Sequence, residues 1–457
     1  MKKINTLVVI FLVLIITAGL RAVSEPRKHF DLNSEESIEK KVFSESEKLS
    51  TVYFRRNTKS FWRFAHFNKE SIFFKVGNKF LKGQVFNLVP EKTVSGRNNT
   101  GNKDSALTYF SEGVLKNKAG EYAKAIGYFT KALEWDSTFA LAYFNRAYSR
   151  NQIRDYKSAL EDYALTIRLQ PVWEELYKVY YNRGLTLAIM GYLKDALHDF
   201  NSAIELNPNY TDAFFNRSIV RGKLADYRGE LEDINKVIDL SPTSSDAYNS
   251  RGIVKCMFGN YVGAVEDYNK SIELSPANAS AYFNRAVIFY EQKDYQAALA
   301  DFSRAIDFAP DAETYNRRAN VKCKTNDIKG ALDDYQSALE LQPAYYQAYL
   351  NRGYLKFSLK DYEAAIADYT MAVHFKPDYD IAYYNRGLAK GKLKDYKGEI
   401  EDYTKAIEFK PDYDKAYNNR GMAKYKLGDM TGCCADLNEA MHLGSRLAYD
   451  NAALYCK

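Results

Sequence analysis

The chain has 457 residues, of which 64 are Lys or Arg and 58 are Asp or Glu, giving a formal charge of +6 at pH 7. Its five cysteines are too few for a disulfide-framed fold, and its five histidines are scattered, without a CxxC or HExxH pattern. We therefore expect no catalytic site, no bound metal and no cofactor. The charge is uneven: residues 1–104 have 19 basic against 10 acidic side chains, whereas residues 105–457 have 45 against 48.

The first residues, Met1–Leu20, have the layout of a secretory signal peptide. Two lysines precede the apolar run Leu7–Ile16, and three small residues follow it. The apolar span from Ile4 to Leu20 has 17 residues, the short end of the range for a membrane helix. Residues 1–24 are therefore predicted to be a cleaved signal peptide or a membrane anchor. The protein is expected to be exported (periplasmic or extracellular) or membrane-anchored.

Residues 25–104 are predicted to form a basic, aromatic-rich region that ends in a linker. The segment Tyr53–Gly83 has eight basic residues and one acid, interleaved with Phe, Tyr and Trp. This composition suits a small β-rich region or tether, an anionic membrane surface or nucleic acid. The neighbouring targeting segment favours lipid over nucleic acid. The polar stretch Val94–Lys103 is rich in Gly and Asn, so we place the domain boundary at residue 104.

Residues 105–447 are predicted to consist of ten repeats. Proline recurs there at intervals of 33 to 37 residues, as Pro171, Pro208, Pro242, Pro276, Pro310, Pro343, Pro377 and Pro411. One unit, Ala382–Asp414, has apolar residues at three- and four-residue spacing in two blocks, which Lys394-Asp395 separates. Each unit is therefore predicted to be a helical hairpin. A single hairpin cannot bury its own apolar stripe and must stack on its neighbours.

This unit resembles the tetratricopeptide repeat. The family's small residue appears as Gly252 and Gly387, its packing alanine as Ala264, and its large seam residue as Tyr268 and Tyr403. The resemblance implies an all-α, right-handed superhelical solenoid of helical hairpins. It also implies a non-catalytic scaffold or assembly factor that binds proteins or peptides in a concave groove, without a small-molecule substrate. The chain is similar to exported or membrane-tethered family members of Bacteroidetes-type bacteria.

An arginine and an aspartate recur together in these units. The arginine stands where the family usually has Leu, and the first unit lacks both residues. Because the arginine and the aspartate occur together and are missing together, we infer that their side chains are in contact. A bidentate Arg–carboxylate pair suits a half-buried position between helices. We predict a structural ladder, within or between repeats, made of Arg146, Arg183, Arg217, Arg251, Arg285, Arg352, Arg386, Arg420, Asp162, Asp199, Asp233, Asp267, Asp301, Asp368, Asp402 and Asp436. In the seventh unit Arg317 is expected to pair with Asp334, while Arg318 takes the small position and loosens the packing.

The resemblance also implies which residues face the groove. Carried over residue by residue, the predicted partner-binding set is Phe144, Tyr148, Tyr181, Phe215, Phe283, Tyr290, Tyr315, Tyr354, Phe357, Tyr384, Tyr425, Lys392 and Lys426. An aromatic, mildly basic groove suits a peptide with apolar anchors and some negative charge. The other interpretation is that these aromatic residues pack against each other between units.

The C-terminal residues 448–457 are predicted to form a helix that caps the last hairpin. Cys434 and Cys456 would then face each other across an antiparallel helix pair. If the domain is exported, a disulfide between them is one prediction, and two buried thiols are the alternative.

The main interpretation is thus a scaffold whose partners are proteins or peptides. The alternative is a membrane-surface or nucleic-acid-binding protein led by residues 53–83, with the repeats as a secondary docking module. An enzyme with its catalytic part in residues 25–104 would have only His29 and His66 to work with.

Overall fold

The computed structural model of the protein describes residues 100–170 and 172–456. The expected signal or anchor segment at 1–24 and the basic segment Tyr53–Gly83 lie outside the described residues. Within them, the chain forms 21 α-helices and no β-strand, which confirms the predicted all-α class. No helix in this part of the chain is both long enough and apolar enough to cross a membrane.

The described helices alternate as the first and second helices of ten hairpins, and one further helix follows. The first helices are α1 (Thr100–Lys118), α3 (Ala140–Gln152), α5 (Leu176–Ile189), α7 (Thr211–Lys223), α9 (Ser245–Met257), α11 (Ala279–Glu291), α13 (Ala312–Lys324), α15 (Tyr346–Ser358), α17 (Asp380–Lys392) and α19 (Asp414–Lys426). The second helices are α2 (Tyr122–Trp135), α4 (Tyr156–Leu169), α6 (Leu193–Leu206), α8 (Tyr227–Leu240), α10 (Tyr261–Leu274), α12 (Tyr295–Phe308), α14 (Ile328–Leu341), α16 (Tyr362–Phe375), α18 (Tyr396–Phe409) and α20 (Met430–His442). Hairpin 1 is α1–α2, hairpin 2 is α3–α4, and so on; α21 (Arg446–Tyr455) follows hairpin 10.

The turn inside each hairpin explains the break between the two apolar blocks. In hairpin 9, Lys394 adopts a φ of 64°, which ends α17. The next residue, Asp395, accepts a hydrogen bond from the backbone N–H of Gly398 at 3.0 Å and so caps the N-terminus of α18. Eight of the ten second helices in the described part have an Asp or Asn cap of this kind.

A seam of large side chains joins the two helices of every hairpin. These fully buried residues are Phe129, Tyr163, Phe200, Ile234, Tyr268, Phe302, Tyr335, Tyr369, Tyr403 and Leu437. Opposite them, the first helix has a small residue, because the ring lies directly on its backbone. A Cβ atom added to Gly252 would stand 2.6 Å from Cε1 of Tyr268. The small and large positions of the repeat are therefore the two halves of one packing contact.

Successive hairpins stack through both of their helices. Each second helix packs on the first helix of the next hairpin, and most neighbouring first helices also touch each other. Second helices of neighbouring hairpins do not approach each other as closely. We call the side of the stack that the first helices line the first-helix face. Among the described residues, the first helix starts at Thr100, inside the stretch predicted to be a linker, and the last helix begins at Arg446 rather than at residue 448.

Candidate functional site

The repeated arginine is bound to the aspartate of its own hairpin, sixteen residues further along the chain. Arg352 Nε donates to Asp368 Oδ2 at 2.9 Å, and its Nη2 donates to Oδ1 at 2.7 Å. The same two-pronged contact, with distances of 2.6–3.0 Å, joins Arg146–Asp162, Arg183–Asp199, Arg217–Asp233, Arg251–Asp267, Arg285–Asp301, Arg318–Asp334, Arg386–Asp402 and Arg420–Asp436. Each aspartate is buried, so the pair replaces hydration that the carboxylate has lost.

The same arginines also reach the preceding hairpin. Arg352 Nη1 donates to Gln336 Oε1 on α14 at 2.8 Å, and Arg386 Nη1 donates to Thr370 Oγ1 on α16 at 3.2 Å. Equivalent bonds start from Arg146, Arg217, Arg251, Arg285, Arg318 and Arg420. Each of these eight guanidinium groups therefore contacts three helices of two hairpins, which the sequence alone did not reveal.

The asparagine that precedes the arginine links neighbouring first helices. Asn351 Nδ2 donates to Asn316 Oδ1 on the preceding first helix at 3.0 Å, and Asn419 Nδ2 donates to the hydroxyl of Tyr384 at 3.1 Å. Asn216 and Asn284 make the corresponding bonds in hairpins 4 and 6. The recurrent Asn-Arg dipeptide thus joins hairpins along the first helices and along the second helices at once.

A second cation lies on most of the aspartates. Lys356 Nζ is 2.9 Å from Asp368 Oδ2, and equivalent contacts of 2.6–3.0 Å come from Arg150, Arg221, Lys255, Lys322, Lys390 and Lys424. Sequence reasoning missed these residues, although a basic residue four positions after the arginine was the available signal. Because the guanidinium groups of the arginines already bind carboxylates, we infer that the ladder stabilises the fold and does not bind an anionic ligand.

The pairing predicted for the seventh unit is wrong by one residue. Arg318, not Arg317, binds Asp334, while Arg317 pairs with Glu313 at 2.9 Å. The connection between α12 and α13 is one residue shorter than the usual connection, which shifts the register of α13. Ala319 therefore fills the small position, fully buried, and the expected loosening at Arg318 does not occur.

The same shift removes Tyr315 from the predicted groove. Its ring lies under the Arg318 guanidinium, with the Cζ atom 5.5 Å from the ring centre. Corresponding rings lie under the ladder arginines of the other hairpins at 5.3–5.6 Å. Tyr315 therefore belongs to the ladder.

Four of the predicted groove residues are buried and belong to the core: Phe144, Tyr148, Tyr181 and Phe215. Phe144 is 2% exposed, with its ring centre 6.0 Å from that of Tyr163 and 6.2 Å from that of Trp173. Tyr181 is 3% exposed and packs against Phe200 and Tyr210. Phe144 and Tyr181 thus pack against aromatic rings of their own hairpins and of the connections that follow them.

Other predicted groove residues are accessible, and they concentrate in hairpins 8 to 10. Tyr354 is 64% exposed and Tyr425 is 37% exposed, while Phe283, Tyr290, Phe357 and Tyr384 are half-buried. Lys392 and Lys426 are exposed, and Lys426 Nζ lies 4.8 Å from the centre of the Tyr396 ring. We call the set on α15, α17 and α19 the C-terminal patch: Tyr354, Phe357, Tyr384, Lys392, Tyr425 and Lys426.

A buried carboxylate lies beside this patch. Glu399 on α18 replaces the usual alanine, and it occupies the space left by Gly391, where an added Cβ would lie 2.5 Å from Glu399 Cδ. Its Oε1 accepts a hydrogen bond from the Tyr403 hydroxyl at 3.1 Å, while Oε2 has no hydrogen-bond partner among the described residues. Burial raises the pKa of Glu399, and the nearby Lys426 and Lys392 oppose this effect.

Replacing Glu399 by glutamine is expected to stabilise the protein in a pH-dependent way. Because the folded-state pKa of Glu399 is raised, its stability contribution is present at low pH and is lost as the pH rises through that pKa. Urea unfolding should therefore show Glu399→Gln more stable than the wild type at about pH 8 and equally stable at about pH 5. The exposed Glu401→Gln on the same helix is the control and should change little at either pH. A less stable Glu399→Gln at the higher pH would contradict the argument.

Beyond the patch, a disulfide closes the C-terminal end. The Sγ atoms of Cys434 on α20 and Cys456 after α21 are 2.11 Å apart, and their Cα atoms are 5.5 Å apart. The two rings of Tyr425 and Tyr455 meet at 4.4 Å, and Asn451 Nδ2 donates to Asn418 Oδ1 at 2.8 Å. The last helix is thus fixed to both helices of hairpin 10.

The stacked hairpins, the seam and the paired small residues define a helical repeat protein, and comparison with known families identifies the repeat. A family model described as "TPR repeat" matches residues 259–293 and 353–394. Models described as "Tetratricopeptide repeat" match residues 106–139, 177–210, 279–311 and 381–413. These segments are tetratricopeptide repeats, which confirms the predicted repeat class.

Curated proteins are similar to about a fifth of the chain. The human tetratricopeptide repeat protein 6 is 34% identical over 97 residues, which is 21% of this chain and 18% of that protein. Serine/threonine-protein phosphatase 5 of Rattus norvegicus is 33% identical over 96 residues, which is 21% of this chain and 19% of the phosphatase. The chain thus spans less than a fifth of the length of these relatives. The crystal structure of a tetratricopeptide repeat protein from Parabacteroides merdae is 21% identical, with a TM-score of 0.45, over 55% of this chain and 98% of that chain.

Proposed function

We propose that this protein is a non-catalytic scaffold or assembly factor that binds a protein or peptide partner on the first-helix face. Tetratricopeptide repeats commonly bind proteins or peptides, and the matched segments are such repeats. The observation that carries the proposal is the C-terminal patch. Its aromatic and basic side chains are accessible on three first helices, whereas the corresponding aromatic residues of α3, α5 and α7 are buried.

The composition of the patch determines the partner chemistry. Tyr354 and Tyr425 offer large, rigid apolar surfaces with a polar end, the type of residue that anchors an interface. Lys392 and Lys426 add positive charge without a hydrogen-bonded acid of their own in the described structure. The partner is therefore a segment with apolar anchors and some negative charge. We infer that such a segment lies in a concave groove along the first-helix face.

Removing the two exposed tyrosines is expected to abolish partner binding without unfolding the protein. The test is affinity purification of the full chain from its native cells, with mass spectrometry of the proteins bound. The amount of each partner recovered should fall by about tenfold or more with Tyr354→Ala/Tyr425→Ala, because anchor residues contribute most of the binding energy of an interface. The matched control, Leu206→Ala/Leu341→Ala, removes equally exposed apolar residues from second helices and should retain them. Equal recovery with both double variants would refute the proposed site.

We also propose that the protein is exported or membrane-anchored through its N-terminal segment. The order of charged, apolar and small residues in Met1–Leu20 supports this location. The disulfide Cys434–Cys456 is consistent with it, since disulfides persist in oxidising compartments. N-terminal sequencing of the native protein after cell fractionation tests it. Intact chains in the cytosolic fraction would contradict export.

A further inference from the structure

A third sulfur lies beside the C-terminal disulfide. The Sγ atoms of Cys433, Cys434 and Cys456 all lie within 4.8 Å of one another. Cys433 is a free, buried thiol, adjacent in sequence to Cys434 on α20. No spacing pattern in the sequence reveals the group, because the third sulfur comes from beyond α21, 22 residues after Cys434. The fold alone brings the three together.

The thiol of Cys433 is not required for packing. The equivalent position of seven other hairpins is occupied by a fully buried alanine, for example Ala331 and Ala365. Around Cys433 the neighbours are Leu437, Ala440 and Ala448, which form an apolar cluster with it. An alanine methyl group would therefore pack in this position as well as the Cys433 side chain does. The thiol adds a reactive group that the equivalent alanines lack.

We propose that, when the disulfide is reduced, Cys433, Cys434 and Cys456 form a three-sulfur site for the soft cation Cu(I). Soft thiolate ligands select Cu(I), whereas a structural zinc site takes four ligands. No fourth Cys, His, Asp or Glu of the described residues joins this group. The buried neighbours of Cys433, namely Leu437, Ala440 and Ala448, have no side-chain oxygen to offer to a harder cation.

The site and the disulfide are alternative states of the same atoms. A dithiol reductant supplies two electrons and two protons, the Sγ–Sγ bond of Cys434 and Cys456 breaks, and the dithiol becomes a disulfide. Cu(I) then displaces thiol protons to the solvent without changing its own oxidation state.

The test is Cu(I) binding by the full chain in its two redox states. Protein reduced with a dithiol and freed of it under anaerobic conditions is titrated with Cu(I) against the chelator bathocuproine disulfonate. The reduced wild type should take one Cu(I) per chain, and X-ray absorption should show three sulfur ligands. The oxidised wild type should leave the copper with the chelator. Reduced protein that also leaves it there would overturn the proposal.

Variants distinguish this site from ordinary thiol binding. Cys433→Ala introduces the residue that other hairpins have, so helicity and the Cys434–Cys456 disulfide should persist. Its Cu(I) affinity should fall by about tenfold or more, with only two sulfur ligands. Cys256→Ala and Cys323→Ala, which remove the other free cysteines, should bind as the wild type does. If Cys433→Ala matches the wild type in affinity and sulfur number, or if the control variants lose binding equally, Cys433 is not a ligand.

Discussion

Replacing Tyr369 by alanine is expected to lower the free energy of unfolding by about 4 kcal/mol, the range seen when a buried aromatic side chain is deleted. Tyr369 is 1% exposed and fills the seam of hairpin 8, where its ring lies on the backbone of Gly353. It also packs with Ala389 of the next hairpin, so the cavity opens at a junction between two hairpins. Urea unfolding monitored by circular dichroism measures the loss.

Tyr354→Ala is the matched control for this prediction. It removes the same side chain from the same hairpin, but at a position where most of the ring is exposed to solvent. Surface substitutions usually change stability by at most about 0.5 kcal/mol, so this variant should unfold close to the wild type. Equal destabilisation by the two variants would show that the seam is not the main source of hairpin stability.

The second large effect is expected from Asp334→Ala in the ladder. This change leaves Arg318 and Lys322 without their shared carboxylate, although both cations remain mostly buried. Removing one partner of a buried ion pair costs several kcal/mol, and we expect a loss of about 3 kcal/mol because these cations keep some contact with solvent. Hydrogen exchange should localise the loss: amides of α13 and α14 should exchange faster, while those of α3 and α4 should change little.

Asp333→Ala provides the control in the adjacent residue. Asp333 is exposed and has no side-chain bond in the described structure, so its removal should hardly affect unfolding. The pair of variants separates the ladder contact from the general effect of removing a negative charge from α14. Similar stabilities for the two would mean that the ladder contributes nothing measurable.

The periodic features of this fold were predictable from the sequence, because a contact that is made in many units leaves the same residue types at the same spacing along the chain. The helical hairpins and the break at Lys394-Asp395 follow from recurrent spacing, and the resemblance to the tetratricopeptide repeat implied the small residue that faces a large one. The joint absence of Arg and Asp in hairpin 1 pointed to their contact, but a period of 34 residues could not say which hairpin supplied the partner.

Other features depend on three-dimensional packing and escaped the sequence. The loop before α13 is one residue shorter, and a single residue is enough to exchange the roles of Arg317 and Arg318. The sequence also could not show which of the predicted groove residues are exposed to solvent. Phe144 and Tyr384 occupy equivalent positions in their first helices, but only Phe144 is buried. The Phe144 ring is covered by Trp173, which lies in the longer connection before α5. Trp173 is not part of the repeat pattern.

The direction of the hydrogen bonds between hairpins bears on how the protein folds during its synthesis. In each Nη1 bond the arginine donor comes later in the chain than its acceptor, as Arg386 does relative to Thr370. The bonds from the asparagine that precedes the arginine run the same way, whereas Asn151 donates to Thr186 on the following first helix. A hairpin leaving the ribosome therefore finds the acceptor of each Nη1 bond on a neighbour that is already folded. Growth from the N-terminus can proceed one hairpin at a time, and the bond between Cys434 and Cys456 secures the last one.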